Sequence, residues 1–189
     1  DIQIPIIHND PIDSARGNIR NFSHPHYVYW HLHSGGVRIT DETGVDRKLE
    51  KGERVLFLPG VIRSQLFNRG TKIISLHLLL KWPEGPYLFS PADQLQKGSP
   101  PKMMLFPAES EVWKHLDKTI LSLVDFRKAL ALTPEDGVGF SNHFEEKIRI
   151  FQLVTAFSKS MEQLQLQPTP PAPLDHRLQQ VLRKLNKSS

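Results

Sequence analysis

The sequence predicts a mainly β domain followed by C-terminal helices, and three observations carry that prediction. Across residues 1–100, short runs rich in Val, Ile, Phe, Tyr and Trp alternate with Gly, Asp, Asn and Pro punctuation, the pattern of strands separated by turns. Beyond residue 108 the apolar residues recur at spacings of three and four, the period of an amphipathic helix. No helical segment interrupts the β region, so a sandwich or barrel is expected in place of alternating βαβ units. The expected architecture is a β-barrel followed by an antiparallel pair of α-helices.

The candidate strands are HYVYWHLH, GVRITDE, DRKLE, RVLFLP, SQLFN and TKIISLHLLLKW. The segments between them, SGG, DETG, KG, PG and NRG, are turn chemistry: glycine supplies positive φ, and Asp or Asn closes a turn through its side chain. After the proline-rich SPPKMMLFPAE, the stretch ESEVWKHLDKTILSLVDFRKAL aligns Trp113, Leu116, Ile120 and Leu123 on one helical stripe. The loop TPEDGVGF ends it. SNHFEEKIRIFQLVTAFSKSMEQLQLQ then repeats the pattern, with Asn142 and Glu145 as a capping pair and Ile148, Phe151, Val154, Phe157, Met161 and Leu164 as its stripe. About 22 helical residues span about 33 Å, long enough to overhang a small barrel and present that stripe to a partner chain. Packing of the same stripe within the chain is the competing expectation.

PTPPAP is a semi-rigid linker by composition, because successive prolines enforce extended geometry and remove backbone donors. Beyond it, Leu178, Val181, Leu182 and Leu185 form the apolar face of one short helix, which has nothing to bury it and reads as the opening of a truncated unit. The expected division is a barrel over 1–105, a helical segment over 106–167, a linker over 168–174 and the start of a further domain over 175–189.

Composition narrows the function classes. With 189 residues the chain is long enough to bury a real core, and its longest apolar runs fall far short of a membrane span. The absence of cysteine excludes disulfides and thiolate metal sites, which fits a reducing interior, so cytoplasmic localisation is the expectation. A formal net charge of +4 is too weak to define a nucleic-acid surface. Arg177, Arg183, Lys184 and Lys187 concentrate that excess in the tail.

HPHYVYWHLH, residues 24–33, holds four histidines. Side chains alternate faces along a strand, so His24 and His26 go with Val28, Trp30 and Leu32, while His31 and His33 go with Tyr27 and Tyr29. Only a bulge would unite all four. Two histidines need at least one further nitrogen or carboxylate to hold a metal, and His77 is the obvious spare. In TKIISLHLLLKW, Ser75, His77 and Lys81 share one parity against Ile74, Leu76, Leu78, Leu80 and Trp82. The apolar parity is ordinarily the packed one, yet a ligand-binding barrel can have the more polar lumen.

The run from His24 to Asn68, HPHYVYW, then SGGVRI, then GERVLFLPGVIRSQLF, resembles the sensor domain of AraC-type transcription regulators, which is built on the cupin barrel. The order of barrel, two helices, linker and LDHRLQQVLRKLN extends the resemblance over most of the chain. It implies a cupin-like fold, a small-molecule effector such as a sugar or organic acid, and a homodimer. DNA would be contacted only by the full-length protein, through helix-turn-helix units. In metal-binding cupins the ligands come from the two histidines and the glutamate of the first motif and the final histidine of the second. Carried onto this sequence, His24 and His26 match the first two, while Trp30 and Arg63 stand at the other two positions. Trp offers no lone pair, and Arg stays charged beside a cation.

The resemblance therefore implies neither enzyme activity nor a metal or other cofactor. The expected ligand pocket is His24, His26, Trp30, Arg63, Gln65 and His77, in which an aromatic face and a guanidinium fork recognise a small polar molecule. Dimerisation is expected through the second-helix stripe from Ile148 to Leu164. Two alternatives stand open: a metal-dependent cupin isomerase or dioxygenase, and a ligand-free dimerisation module. No phosphate loop, nucleophile elbow or H-E-x-x-H pair offers other chemistry.

Overall fold

The computed structural model describes residues 1–13, 17–82, 85–89, 103–106, 109–132 and 139–164, with Leu166 and Pro168. The expected linker beyond Pro168 and the expected start of a further domain lie outside the described residues.

Among the described residues, nine strands form two antiparallel sheets. β1 (Ile2–Pro11), β8 (Lys72–Leu80), β3 (Tyr27–Ser34), β6 (Arg54–Phe57) and β9 (Met103–Phe106) make the larger, in that order across the sheet. β2 (Ile19–Phe22), β7 (Arg63–Phe67), β4 (Gly36–Asp41) and β5 (Asp46–Glu50) make the smaller. The two sheets face each other as a barrel-like domain, and the helices α1 (Glu111–Ala131) and α2 (Phe140–Gln163) follow it. The helices run antiparallel: Arg127 pairs with Glu146 near one end and Ser110 with Gln163 at the other. Among the described residues, no helix is long and apolar enough to cross a membrane.

Three strands were not among the expected ones. β1 carries Pro5 and Pro11, which demote a strand in sequence reading. It tolerates them because it lies at a sheet edge, and its pairing with β8 shifts register between Gln3 and Ile6. β9 is a four-residue run inside the proline-rich stretch that pairs with β6. β2 is short and mostly exposed, so it has little hydrophobic pattern to read.

The core has two layers that share the larger sheet. Between the sheets lie Val28, Trp30, Leu32, Ile39, Val55 and Phe57, and Trp30 meets both Phe57 and Phe67 edge-on or tilted. On the other side, Tyr27 contacts Phe157 and Tyr29 stacks on Trp113. The expected α1 stripe of Trp113, Leu116, Ile120 and Leu123 is buried there. The turn before β4 needs its glycine: Gly35 has φ +73°, and a Cβ would sit 2.7 Å from the Thr71 Cα, a backbone contact that cannot yield.

The second helix departs from expectation in two ways. Gly139 is its N-cap and no side chain caps it; Glu145 instead pairs with Arg149 one turn on, so the expected Asn142/Glu145 capping pair is corrected. The stripe also divides along its length. Phe157 and Met161 are fully buried within the chain, beside Leu153 and Ala156, whereas Ile148 and Phe151 are exposed. The cause is reach: the C-terminal half of α2 lies over Tyr27 and Phe89, and among the described residues its N-terminal half packs beside α1. Phe157 and Met161 are thereby removed from the expected dimerisation surface.

Candidate functional site

Strand parity and the two-layer core decide where each histidine goes. His24 and His26 precede β3 on the parity of Trp30, the lumen side. The PG turn fixes the backbone there, since Gly60, with φ +79°, donates its N–H to the His24 carbonyl at 2.8 Å. On β8 the polar parity faces the same way: Ser75 and His77 line the lumen, and Ile74, Leu76, Leu78 and Leu80 are buried on the opposite face. The helices cover the apolar side of this sheet, which leaves the lumen as the more polar surface.

The result is a cavity of about 390 Å³ lined by His24, Trp30, Gln65 and His77 of the expected pocket, with His8, Ile12, Phe67 and Ser75 among its other walls. His26 and Arg63 lie beside it and not on its wall. His26 is within ring contact of both His24 and His77, at centroid separations of 6.2 Å, and His24 and His77 meet at 4.6 Å. All six expected residues are thus gathered at one end of the barrel.

Arg63 is the most informative of them. It is 2% exposed, and its guanidinium carbon lies 3.9 Å from the Phe57 ring centroid, 4.7 Å from Phe22 and 5.3 Å from Trp30. Three aromatic faces hold the cation by its π contacts. Its Nε and Nη2 have no hydrogen-bond partner, and no carboxylate among the described residues pairs with it. Burial pushes its pKa down to about 9, which still leaves it charged at neutral pH. Gln65 donates Nε2 to the Gly17 carbonyl at 2.8 Å, and its Oε1 is unpartnered.

Burial favours the neutral form of the three histidines at this end of the barrel. Burial, then the neighbouring His24 and Arg63, pushes His77 down to about 3. Burial also lowers His24, reinforced by Arg63 and His26, and lowers His26, with Lys81 adding to it. The Nδ1 atoms of His26 and His77 are buried without a partner. Neutral imidazoles donate through one nitrogen and accept or ligate through the other.

His31 and His33 lie on the helix side. His31 Nδ1 lies 3.0 Å from Asp117 Oδ2 on α1. The same carboxylate accepts from Arg54 Nε and Nη2, at 3.0 and 2.8 Å, and from the Tyr29 hydroxyl at 2.7 Å. Burial alone would raise the Asp117 pKa, but the hydrogen bonds from His31, Tyr29 and Arg54 together hold it below the ordinary carboxylate value. Sequence reading missed this cluster because its central acid comes from α1, far from β3 along the chain. It also missed Phe22 and Phe57 as walls around Arg63; the parity of Phe57 with Val55 on β6 is a signal that would have found the second.

No family model matches the chain, and no curated protein matches it. Several solved structures resemble it. An apo variant of ToxT from Vibrio cholerae shares 13% identity over 93% of this chain and 59% of that one, with a TM-score of 0.43. Unsaturated fatty acid-bound ToxT shares 12% identity over 86% and 55%, with a TM-score of 0.39. YhaK from Escherichia coli shares 12% identity over 57% and 44%, with a TM-score of 0.35. In each case this chain spans less than two thirds of the length of the structure it resembles.

Proposed function

We propose that this chain is the ligand-sensing and dimerisation region of a bacterial AraC-type transcription regulator, and that its barrel binds a small organic acid without transforming it. The observation that carries the reading is the unpaired Arg63 guanidinium, buried among aromatic rings beside a cavity lined by His24, Trp30, Gln65 and His77. A buried charge without a partner is costly, and an incoming carboxylate supplies the two acceptors its fork needs. That favours an acid over a neutral sugar. Occupancy would shift the arrangement of barrel and helices and so bias DNA binding by helix-turn-helix units of the full-length, cytoplasmic protein. The exposed part of the α2 stripe, Ile148 and Phe151, joined by Phe140 and Phe144, would then form the homodimer contact.

The test is a thermal-shift panel of small carboxylic acids and sugars against the wild type and Arg63→Met. A saturable rise in Tm with an acid, lost in Arg63→Met, is expected, because a ligand selective for the native state stabilises it. A response confined to neutral sugars, an equal response in the variant, or none to any member would overturn the reading.

A further inference from the structure

The geometry points to a second occupant of the same end of the barrel: a divalent first-row transition metal held by His24, His26 and His77. The ligand nitrogens of these three side chains all lie within 4.8 Å of one another. Two of the histidines come from the segment before β3 and the third from β8, across the sheet pairing that sets His77 opposite Val28. The third donor therefore comes from neither sequence motif that suggested a barrel. It stands in neither position at which the resembling metal proteins carry their remaining ligands, so the donor set is particular to this chain.

Two features fit a cation. A Zn–N bond of about 2.1 Å in tetrahedral geometry places ligand nitrogens about 3.4 Å apart, so ring rotations closing the triad by up to about 1.4 Å complete it. The Nδ1 atoms of His26 and His77 are buried and have no hydrogen bond to give up. Three imidazoles leave a fourth position open, the arrangement of zinc sites that exchange a ligand.

Arg63 opposes a bare cation and at the same time selects the fourth ligand. Its guanidinium packs on the Phe22 ring, which in turn meets His24 edge-on, so a metal there experiences repulsion that an anion between metal and guanidinium relieves. The centre is thus a joint metal and anion site. Its metal affinity should rise when Arg63 is neutralised and fall when any of the three histidines is removed.

The experiment uses the untagged full chain, stripped with chelator and dialysed, titrated with Zn²⁺ by calorimetry and with Co²⁺ by visible absorption. One equivalent is expected, with the intense d–d bands of a four-coordinate ion. His77→Asn and His26→Asn should each weaken Zn²⁺ binding by at least about 100-fold, since loss of an outer-shell partner alone costs about 10–100-fold. His143→Asn, on the exposed face of α2, should leave it unchanged, and Arg63→Met should tighten it. Circular dichroism of each variant separates loss of the site from loss of the fold. Absence of binding by the folded wild type, binding unchanged in folded His77→Asn, or six-coordinate Co²⁺ spectra insensitive to all three histidines would overturn the proposal. The probe is the metal alone, so failure of the acid panel leaves this result standing, and the reverse also holds.

Discussion

Two buried arginines of this barrel make the sharpest comparison in the molecule. Arg54 and Arg63 are 4% and 2% exposed, and each sits beside histidines and aromatic residues carried by neighbouring strands. Arg54, on the helix side of the larger sheet, donates twice to Asp117, which also binds Tyr29 and His31. Arg63, on the lumen side, has aromatic rings around it and two guanidinium nitrogens without partners. The saturated buried charge is a joint between β3, β6 and α1, while the unsaturated one is, on the function proposed above, a socket. β3 takes part in both, with Tyr29 and His31 at the joint and Trp30 at the socket, so the two sites are one residue apart along one strand.

Removing Asp117 should have the largest effect. Asp117→Asn removes the carboxylate that accepts from the buried Arg54 guanidinium, and breaking one partner of a buried pair costs about 3–5 kcal/mol. Urea denaturation is the measurement, and a loss under about 1 kcal/mol would place this pair with weak surface bridges and end the joint reading. Arg63→Met should go the other way. Replacing an unpaired buried cation by an apolar side chain of similar length removes a desolvation penalty, so the ligand-free protein should gain about 1–3 kcal/mol. A loss of stability would show that the rings hold Arg63 for structure and would break the contrast.

The smallest effect is one of pH. The folded Asp117 pKa is depressed below its ordinary value of 3.8, so its charge contributes stability that is fully present above that value and is lost as pH falls through the folded pKa. Stability followed by urea melts from about pH 6 to about pH 3 should therefore decline at the acid end more steeply in the wild type than in Asp117→Asn. Parallel acid limbs would mean that this carboxylate is not linked to folding.

Much of this was legible in the residues. The α1 stripe of Trp113, Leu116, Ile120 and Leu123 is buried as its spacing required, and the division of HPHYVYWHLH into two pairs follows from a period of two. The Asp117 joint was not legible, because an ion pair between a strand and a helix 63 residues away leaves no local periodicity to read. β1 was hidden by its prolines, which a sheet edge accommodates and an interior strand does not.

The sequence by itself determined which side chains share a face, since that depends only on the repeat of a strand or helix. Tertiary structure alone decided what each face looks upon. For β8, covering of the apolar parity by the helices placed Ser75 and His77 toward the lumen, a facing that the strand pattern had left open. For α2, one continuous stripe became a buried end at Phe157 and Met161 and an exposed end at Ile148 and Phe151. The physical reason is the same in both: periodicity is a property of a single segment, whereas burial depends on the distant segment packed against it.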